Sequence, residues 1–217
     1  MVVLTPYHQG RQVKVRALSH SAQFGKEMNL IRSIGAAMRE PHIVVTKSTV
    51  PVGSGNWLEA TIEALGGELK MAVVEGDLET ENDAERIRAR GVPAVQITTG
   101  QACHLDAHMV HDALHDMDLD GIDVLFIENV GNLVCPASFD LGQHRNITLL
   151  SVTEGDDKPA KYPVMFRAAD LMLISKSDLL GVLDDFVPEK AERHLRELAS
   201  TAPVVRLSAR SGDASTN

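Results

Sequence analysis

Cys103 is followed directly by His104, and the second of only two cysteines is Cys135. Two thiolates and one imidazole form a ligand set that Ni²⁺ or Zn²⁺ accepts. A plainer reading of the same residues is two buried free thiols and a surface histidine. Seven positions before Cys135 stands Glu128, closing the apolar run Val124–Ile127, with Gly131 three residues further on. An acidic residue at the end of a buried strand, then a glycine whose N–H can meet a phosphate oxygen, is how nucleotide-binding α/β proteins sense a γ-phosphate. Soft metal ligands and a phosphate sensor within one short span suggest a nucleotide switch that handles a metal.

Other segments carry compatible chemistry. Asp77 ends the stretch Val74-Glu-Gly-Asp77, with Glu79, Thr80 and Asp83 behind it. A carboxylate there suits Mg²⁺, directly or through water; an acidic helix start that favours the dipole explains the same residues. In the loop Lys47–Trp57, Gly53 and Gly55 precede a helical pattern and allow backbone N–H groups to approach a phosphate. A glycine-rich strand-to-helix turn with no phosphate is the alternative. Lys176 and Asp178 follow the apolar run Leu171–Ser175, where an aspartate can accept from the N1–H and N2 amino group of guanine while a lysine stem covers the ring.

Four histidines stand out beyond this set. At 100° per residue, His104, His108, His111 and His115 fall within about 60° of one another on a helix. The apolar Leu105, Met109, Val110, Ala113, Leu114 and Met117 take the opposite side, so the histidines form a solvent-facing stripe. Pairs at i,i+4 (104/108 and 111/115) can chelate a divalent ion. A hydrated helix face that happens to be histidine-rich is the competing reading.

These residues need a scaffold, and the patterning supplies one. Apolar runs bounded by turn residues alternate with amphipathic segments, predicting βαβ units and a doubly wound, mostly parallel α/β sheet with helices on both faces. Strands are expected at Ile43–Val45, Lys70–Glu75, Ala94–Thr98, Val124–Glu128, Ile147–Val152, Leu171–Ser175 and Val204–Ser208. Helices are expected at Asn56–Leu65, Glu81–Ala89, Leu105–Met117, Tyr162–Ala169 and Pro188–Leu198. Residues 1–40 read as an N-terminal extension, with a short strand Val13–Arg16 and a helix near Glu27–Arg39, packing on a domain of residues 41–217. The end Asp213–Asn217 follows the last strand where such folds usually add a closing helix, so it is expected to be truncated or frayed.

Composition agrees. A chain of 217 residues, 44% hydrophobic, buries one good core. A net charge of −9 argues against a nucleic-acid partner and suits a protein that attracts cations. No run reaches transmembrane length and no secretory signal pattern opens the chain, so a cytoplasmic protein is expected, its thiols ligands or free rather than bridged. Aromatics at 4% leave little for stacking bases.

From Leu58 to Gly212 the chain resembles the nickel-incorporation GTPases of hydrogenase maturation, the HypB family. Glu75–Arg88, Glu128–Gly142, Thr153–Pro163 and Leu173–Asp178 carry the likeness. The resemblance implies a P-loop NTPase fold, GTP and GDP as ligands with Mg²⁺, and slow GTP hydrolysis with Asp77 and Glu128 in catalytic roles. It implies a nickel or zinc site at Cys103, His104 and Cys135 shared between two subunits of a homodimer. Lys158, in the family-like loop Thr153–Pro163, has the reach to touch a phosphate across such an interface, although an ordinary solvated loop is the better reading of its charge. Ser208 and Ala209 would clamp the base through the backbone. A hydrogenase-maturation partner and the hydrogenase large subunit would be the protein partners.

The sequence departs from the family in two places. The family's phosphate loop reads Pro-Gly-x-Gly-Lys-Thr-Thr, whereas here Asn56 and Trp57 follow Gly55; aligning on Leu58–Leu65 instead puts Ser54 at the lysine position. Either register lacks the cation that touches the β- and γ-phosphates. Ser175 also replaces the asparagine of the guanine motif Asn-Lys-x-Asp. The expected function is therefore a GTP-dependent nickel chaperone, with a metal-binding pseudo-GTPase as the alternative.

Overall fold

A computed structural model of the protein describes residues 42–48, 69–77, 82–211 and 213–216. The expected N-terminal extension, the phosphate-loop residues Gly53, Ser54, Gly55 and Asn56, and the helix Asn56–Leu65 lie outside the described residues.

Eight strands form one sheet: β1 (His42–Ser48), β2 (Met71–Asp77), β3 (Ala94–Thr98), β4 (Val124–Asn129), β5 (Asn146–Ser151), β6 (Leu171–Ser175), β7 (Val204–Ser208) and β8 (Asp213–Thr216). Their order is β3-β2-β4-β1-β5-β6-β7-β8. Every pairing is parallel except β7 with β8. Consecutive strand residues point to opposite faces, yet every residue of β4 and β6 and the first six of β2 are buried. Both faces of the sheet are therefore covered, which is why these strands read as continuous apolar runs.

Between the strands lie α1 (Asn82–Arg88), α2 (Ala107–His115), α3 (Lys158–Lys161), α4 (Pro163–Arg167) and α5 (Pro188–Glu197). Ala84 and Ile87 of α1 and Val110 and Ala113 of α2 pack with β2 and β4 in one apolar cluster. A second cluster joins Met165 and Phe166 of α4 and Ala191 and Leu195 of α5 to Leu150, Met172 and Ile174.

Three expectations need correction. The helix expected over Tyr162–Ala169 is the shorter α4, and a further short helix, α3, precedes it within the charged loop; each carries a proline in its first turn, where a missing N–H costs nothing. The segment Asp213–Thr216 pairs antiparallel with β7, Val205 opposite Thr216 and Ser208 opposite Asp213, instead of fraying. The helix expected from Leu105 begins only at Ala107, because the Asp106 carboxylate accepts from the His108 and Met109 N–H groups at 2.9 Å and caps it there.

Candidate functional site

Parallel pairing puts the C-terminal ends of β1, β2, β4, β6 and β7 along one edge of the sheet. The strand order reverses at β1, which lies between β4 and β5 with later strands added on its other side, and open α/β sheets bind ligands at such switch points. Asp77 ends β2, Glu128 and Asn129 end β4, Ser175 ends β6 and Ser208 ends β7. The segment carrying Gly53 and Gly55 follows β1 and lies outside the described residues; of the residues expected at the phosphate, Asp77, Glu128 and Gly131 are described.

Glu75 and Glu128 are register partners on β2 and β4, and both are buried. Burial, then the charge of Glu128, holds the Glu75 carboxyl well above the usual carboxylate range, and the two share a hydrogen bond. Burial and Glu128 thus both favour the neutral form of Glu75. Two residues on, the Asp77 carbonyl accepts from Thr99, at 2.9 Å from its N–H and 3.2 Å from its hydroxyl. This fixes the strand end that projects the Asp77 carboxylate.

At the other end of the edge, Lys176 adopts a left-handed conformation (φ 59°, ψ 39°) and the chain turns through a 3₁₀ helix at Ser177–Leu179. That turn brings the exposed Asp178 beside the end of β7, where the Ser208 hydroxyl donates to its carboxylate at 2.6 Å. The same hydroxyl accepts from the Ser211 N–H at 3.2 Å, closing the turn that carries Ala209. Ser175 is buried, and its hydroxyl has no hydrogen-bond partner among the described residues.

The metal-ligand residues meet. The ligand atoms of Cys103, His104 and Cys135 all lie within 4.8 Å of one another. Cys103 Sγ is 3.8 Å from His104 Nδ1, and both cysteines are free thiols. Cys103 is exposed and Cys135 half-buried, so the alternative of two buried thiols is excluded. A hydrogen bond shared with Cys103, aided by burial, pushes the Cys135 thiol up. The imidazole of His104 stacks on Phe139, centroids 3.7 Å apart and planes 19° from parallel. Ring orientation is thereby fixed while the ring nitrogens stay at the thiols.

Two asparagines that the sequence pattern does not single out build this centre. Asn129 Oδ1 accepts from the Leu105 N–H at 2.8 Å and from the Val130 N–H at 2.9 Å. Asn132 donates through its amide to the Cys103 carbonyl, and its Oδ1 accepts from the Val134 and Cys135 N–H groups at 2.9 and 2.8 Å. The turn leaving β4 is thus tied to the loop that carries Cys103 and His104. Leu105 completes the join: it is fully buried, and a Cβ on Gly76 would sit 2.7 Å from its side chain. Only glycine leaves room for that contact next to Asp77. Glu75, outside the expected set, is the buried partner of Glu128, and a glutamate after the apolar run Met71–Val74 is a visible signal for it.

The histidine stripe is divided. His104 precedes α2 and belongs to the thiol centre, so the 104/108 chelate does not form; the Asp106 cap starts the helix beyond it. His108 instead faces Asp112, Nδ1 to Oδ2 at 3.2 Å, whereas His111 and His115 meet at 3.1 Å between their Nε2 atoms. All three remain exposed, opposite the buried Val110 and Ala113. Lys158 opens α3 with its ammonium 5.8 Å from the Tyr162 ring centroid. Its segment is anchored by the buried Asp156, which binds Lys190 at 2.8 Å and the Val187 N–H at 3.1 Å.

Comparison with known proteins agrees with this geometry. Residues 44–206 match the family described as CobW/HypB/UreG, nucleotide-binding domain. Hydrogenase maturation factor HypB of Azotobacter vinelandii is 58% identical over 162 residues, covering 74% of this chain and 53% of that protein. Hydrogenase maturation factor HypB of Escherichia coli (strain K12) is 49% identical over 177 residues, covering 82% of this chain and 61% of that protein. The chain thus spans between half and two thirds of these curated relatives' length. The crystal structure of HypB from Helicobacter pylori in complex with nickel superposes with a TM-score of 0.74 at 40% identity, over 85% of this chain and 86% of that one. With a family match across most of its length and a HypB structure aligned over nearly all of another, the chain belongs to the HypB members of the CobW/HypB/UreG family and has their P-loop NTPase fold.

Proposed function

We propose that this chain is the nucleotide- and metal-binding part of a GTP-dependent nickel chaperone for hydrogenase maturation. The observation that carries the reading is the pair of asparagine bridges from the turn after β4 to the Cys103–Leu105 loop. A γ-phosphate sensed at Glu128–Gly131 would move the same turn that orients Cys135 and holds the Cys103 carbonyl. Nucleotide state and metal affinity would then be coupled, and the coupling is reciprocal.

In this reading Asp77 would hold Mg²⁺ and Glu128 would orient the attacking water, steadied by its hydrogen bond with the neighbouring Glu75 carboxyl. Mg²⁺ would supply charge neutralisation at the transferring phosphate. Lys176 and Asp178 would read guanine, with Ser208 bracing Asp178 and Ala209 in the clamping turn. Nickel or zinc is cargo, taken by two thiolates and an imidazole that suit a borderline-soft ion. Hydrolysis would be slow, because positioning and phosphate cations carry this chemistry and Asn56-Trp57 replaces Lys-Thr. A cytoplasmic homodimer handing its ion to a maturation partner and then to the hydrogenase large subunit fits this role. Among the described residues no helix is long and apolar enough to cross a membrane.

The same Asn56-Trp57 substitution favours a second reading, a metal-binding pseudo-GTPase. Calorimetric titration of the metal-free chain with a non-hydrolysable GTP analogue and Mg²⁺ separates the two. Micromolar binding with ATP analogues rejected, and a nickel affinity that changes on adding the analogue, support the chaperone. No heat of nucleotide binding with intact nickel uptake at Cys103, His104 and Cys135 supports the pseudo-GTPase.

A further inference from the structure

We propose that His111 and His115, on the exposed face of α2, form a second binding site for a divalent transition-metal ion, separate from the Cys103/His104/Cys135 centre. The two side chains are one helical turn apart and their Nε2 atoms converge to 3.1 Å. Metal–imidazole bonds of about 2.0–2.1 Å from two nitrogens at that separation subtend an angle of about 100° at the ion, close to both tetrahedral and octahedral values. The rings stand edge to face, centroids 4.6 Å apart and planes at 87°, so they do not block each other's approach to a common ion.

Now one Nε2–H donates to the other Nε2. Replacing that shared hydrogen by an ion needs only a tautomer shift in the donor ring, Nε2–H to Nδ1–H, with no net loss of a proton. The neighbouring His108 is not part of the pair, since its Nδ1 faces Asp112 at 3.2 Å. Counted from the Asp106 cap, His111 and His115 stand about 8 and 14 Å along the helix at 1.5 Å per residue. An ion between them is therefore bound apart from the thiol centre. The donors are imidazole only, which suits Ni²⁺, Cu²⁺ or Zn²⁺ and disfavours Mg²⁺ and Ca²⁺. Two protein ligands leave the remaining positions to water, so this ion exchanges more readily than one held by thiolates. Net charge −9 raises the local concentration of cations around such an exposed pair.

The test is nickel titration of the metal-free full chain, read by calorimetry and by side-chain NMR of the histidine rings. The wild type should take up two ions per chain. A Cys103→Ala/Cys135→Ala variant should keep one, with paramagnetic broadening confined to the His111 and His115 rings. A His111→Gln/His115→Gln variant, changed only at exposed positions, should lose the weaker event and retain the tighter one. The proposal is overturned if wild type and the glutamine variant bind the same number of ions, if the cysteine variant's broadening falls elsewhere, or if His108→Gln alone abolishes the weaker event. None of these readouts involves nucleotide, so they stand or fall separately from the chaperone reading.

Discussion

Asn129 Oδ1 receives the Leu105 N–H at 2.8 Å, joining the end of β4 to the loop that carries Cys103 and His104 across 24 residues of chain. The same oxygen takes the Val130 N–H, and Asn129 is almost wholly buried. Asn129→Ala would leave two buried N–H groups without acceptors, at a cost of about 1–3 kcal/mol for each. Asn129→Asp keeps the acceptor but buries a charge. Denaturant unfolding should rank wild type above both variants. If the alanine variant unfolds at the wild-type midpoint, the bridge is not structural.

Asn132 acts differently, because it is only half-buried and its side-chain bonds go to the loops that carry the two thiols. Asn132→Ala should leave unfolding nearly unchanged while nickel affinity falls by about 10–100-fold, the usual effect of losing a group that orients metal ligands. Competition against a chelator measures this directly. Unchanged affinity would mean that the Cys103 and Cys135 backbones hold their places without Asn132.

How much of this is legible in the sequence depends on which physics each element uses. Strands β3, β6 and β7 match their expected bounds because apolar runs between turn residues need no tertiary information. The polar, four-residue β8 has no such pattern, and only pairing with β7 makes it a strand. Cys103, His104 and Cys135 are legible by ligand chemistry. Their asparagine supports are not, since an asparagine after a strand reads equally well as a turn residue. His104 falls into the helical stripe on the sequence because periodicity carries through Asp106, whose side chain caps a helix that starts one position later.

The Glu75 carboxyl yields a pH signature. Its pKa is raised in the folded state by burial first and then by Glu128, relative to the ordinary 4.5. A group raised on folding contributes its full stability below the unfolded pKa and loses it as pH climbs toward the folded value. Wild-type stability should therefore decline as pH rises above the ordinary glutamate range, by about 1.4 kcal/mol for each pH unit crossed between the unfolded and folded values. Glu75→Gln keeps a donor to Glu128 without a proton to lose. Its stability relative to wild type should rise with pH over that same window. Parallel pH profiles for the two proteins would show that Glu75 is not the group that titrates.

The Ser208 hydroxyl holds Asp178 at 2.6 Å, and no other side chain is seen bracing that carboxylate among the described residues. If Asp178 reads guanine, its two oxygens must point at the base edge before the base arrives. Ser208→Ala removes a hydrogen bond to a charged group, worth about 1.5–3 kcal/mol, so guanine-nucleotide affinity should fall by about tenfold or more. Ser208→Thr keeps the hydroxyl and should restore most of the loss. A fluorescent GDP analogue reports both affinities, and adenine nucleotides serve as the control. Equal weakening toward both bases would place Ser208 in turn stability, through its bond to the Ser211 N–H, and not in base discrimination.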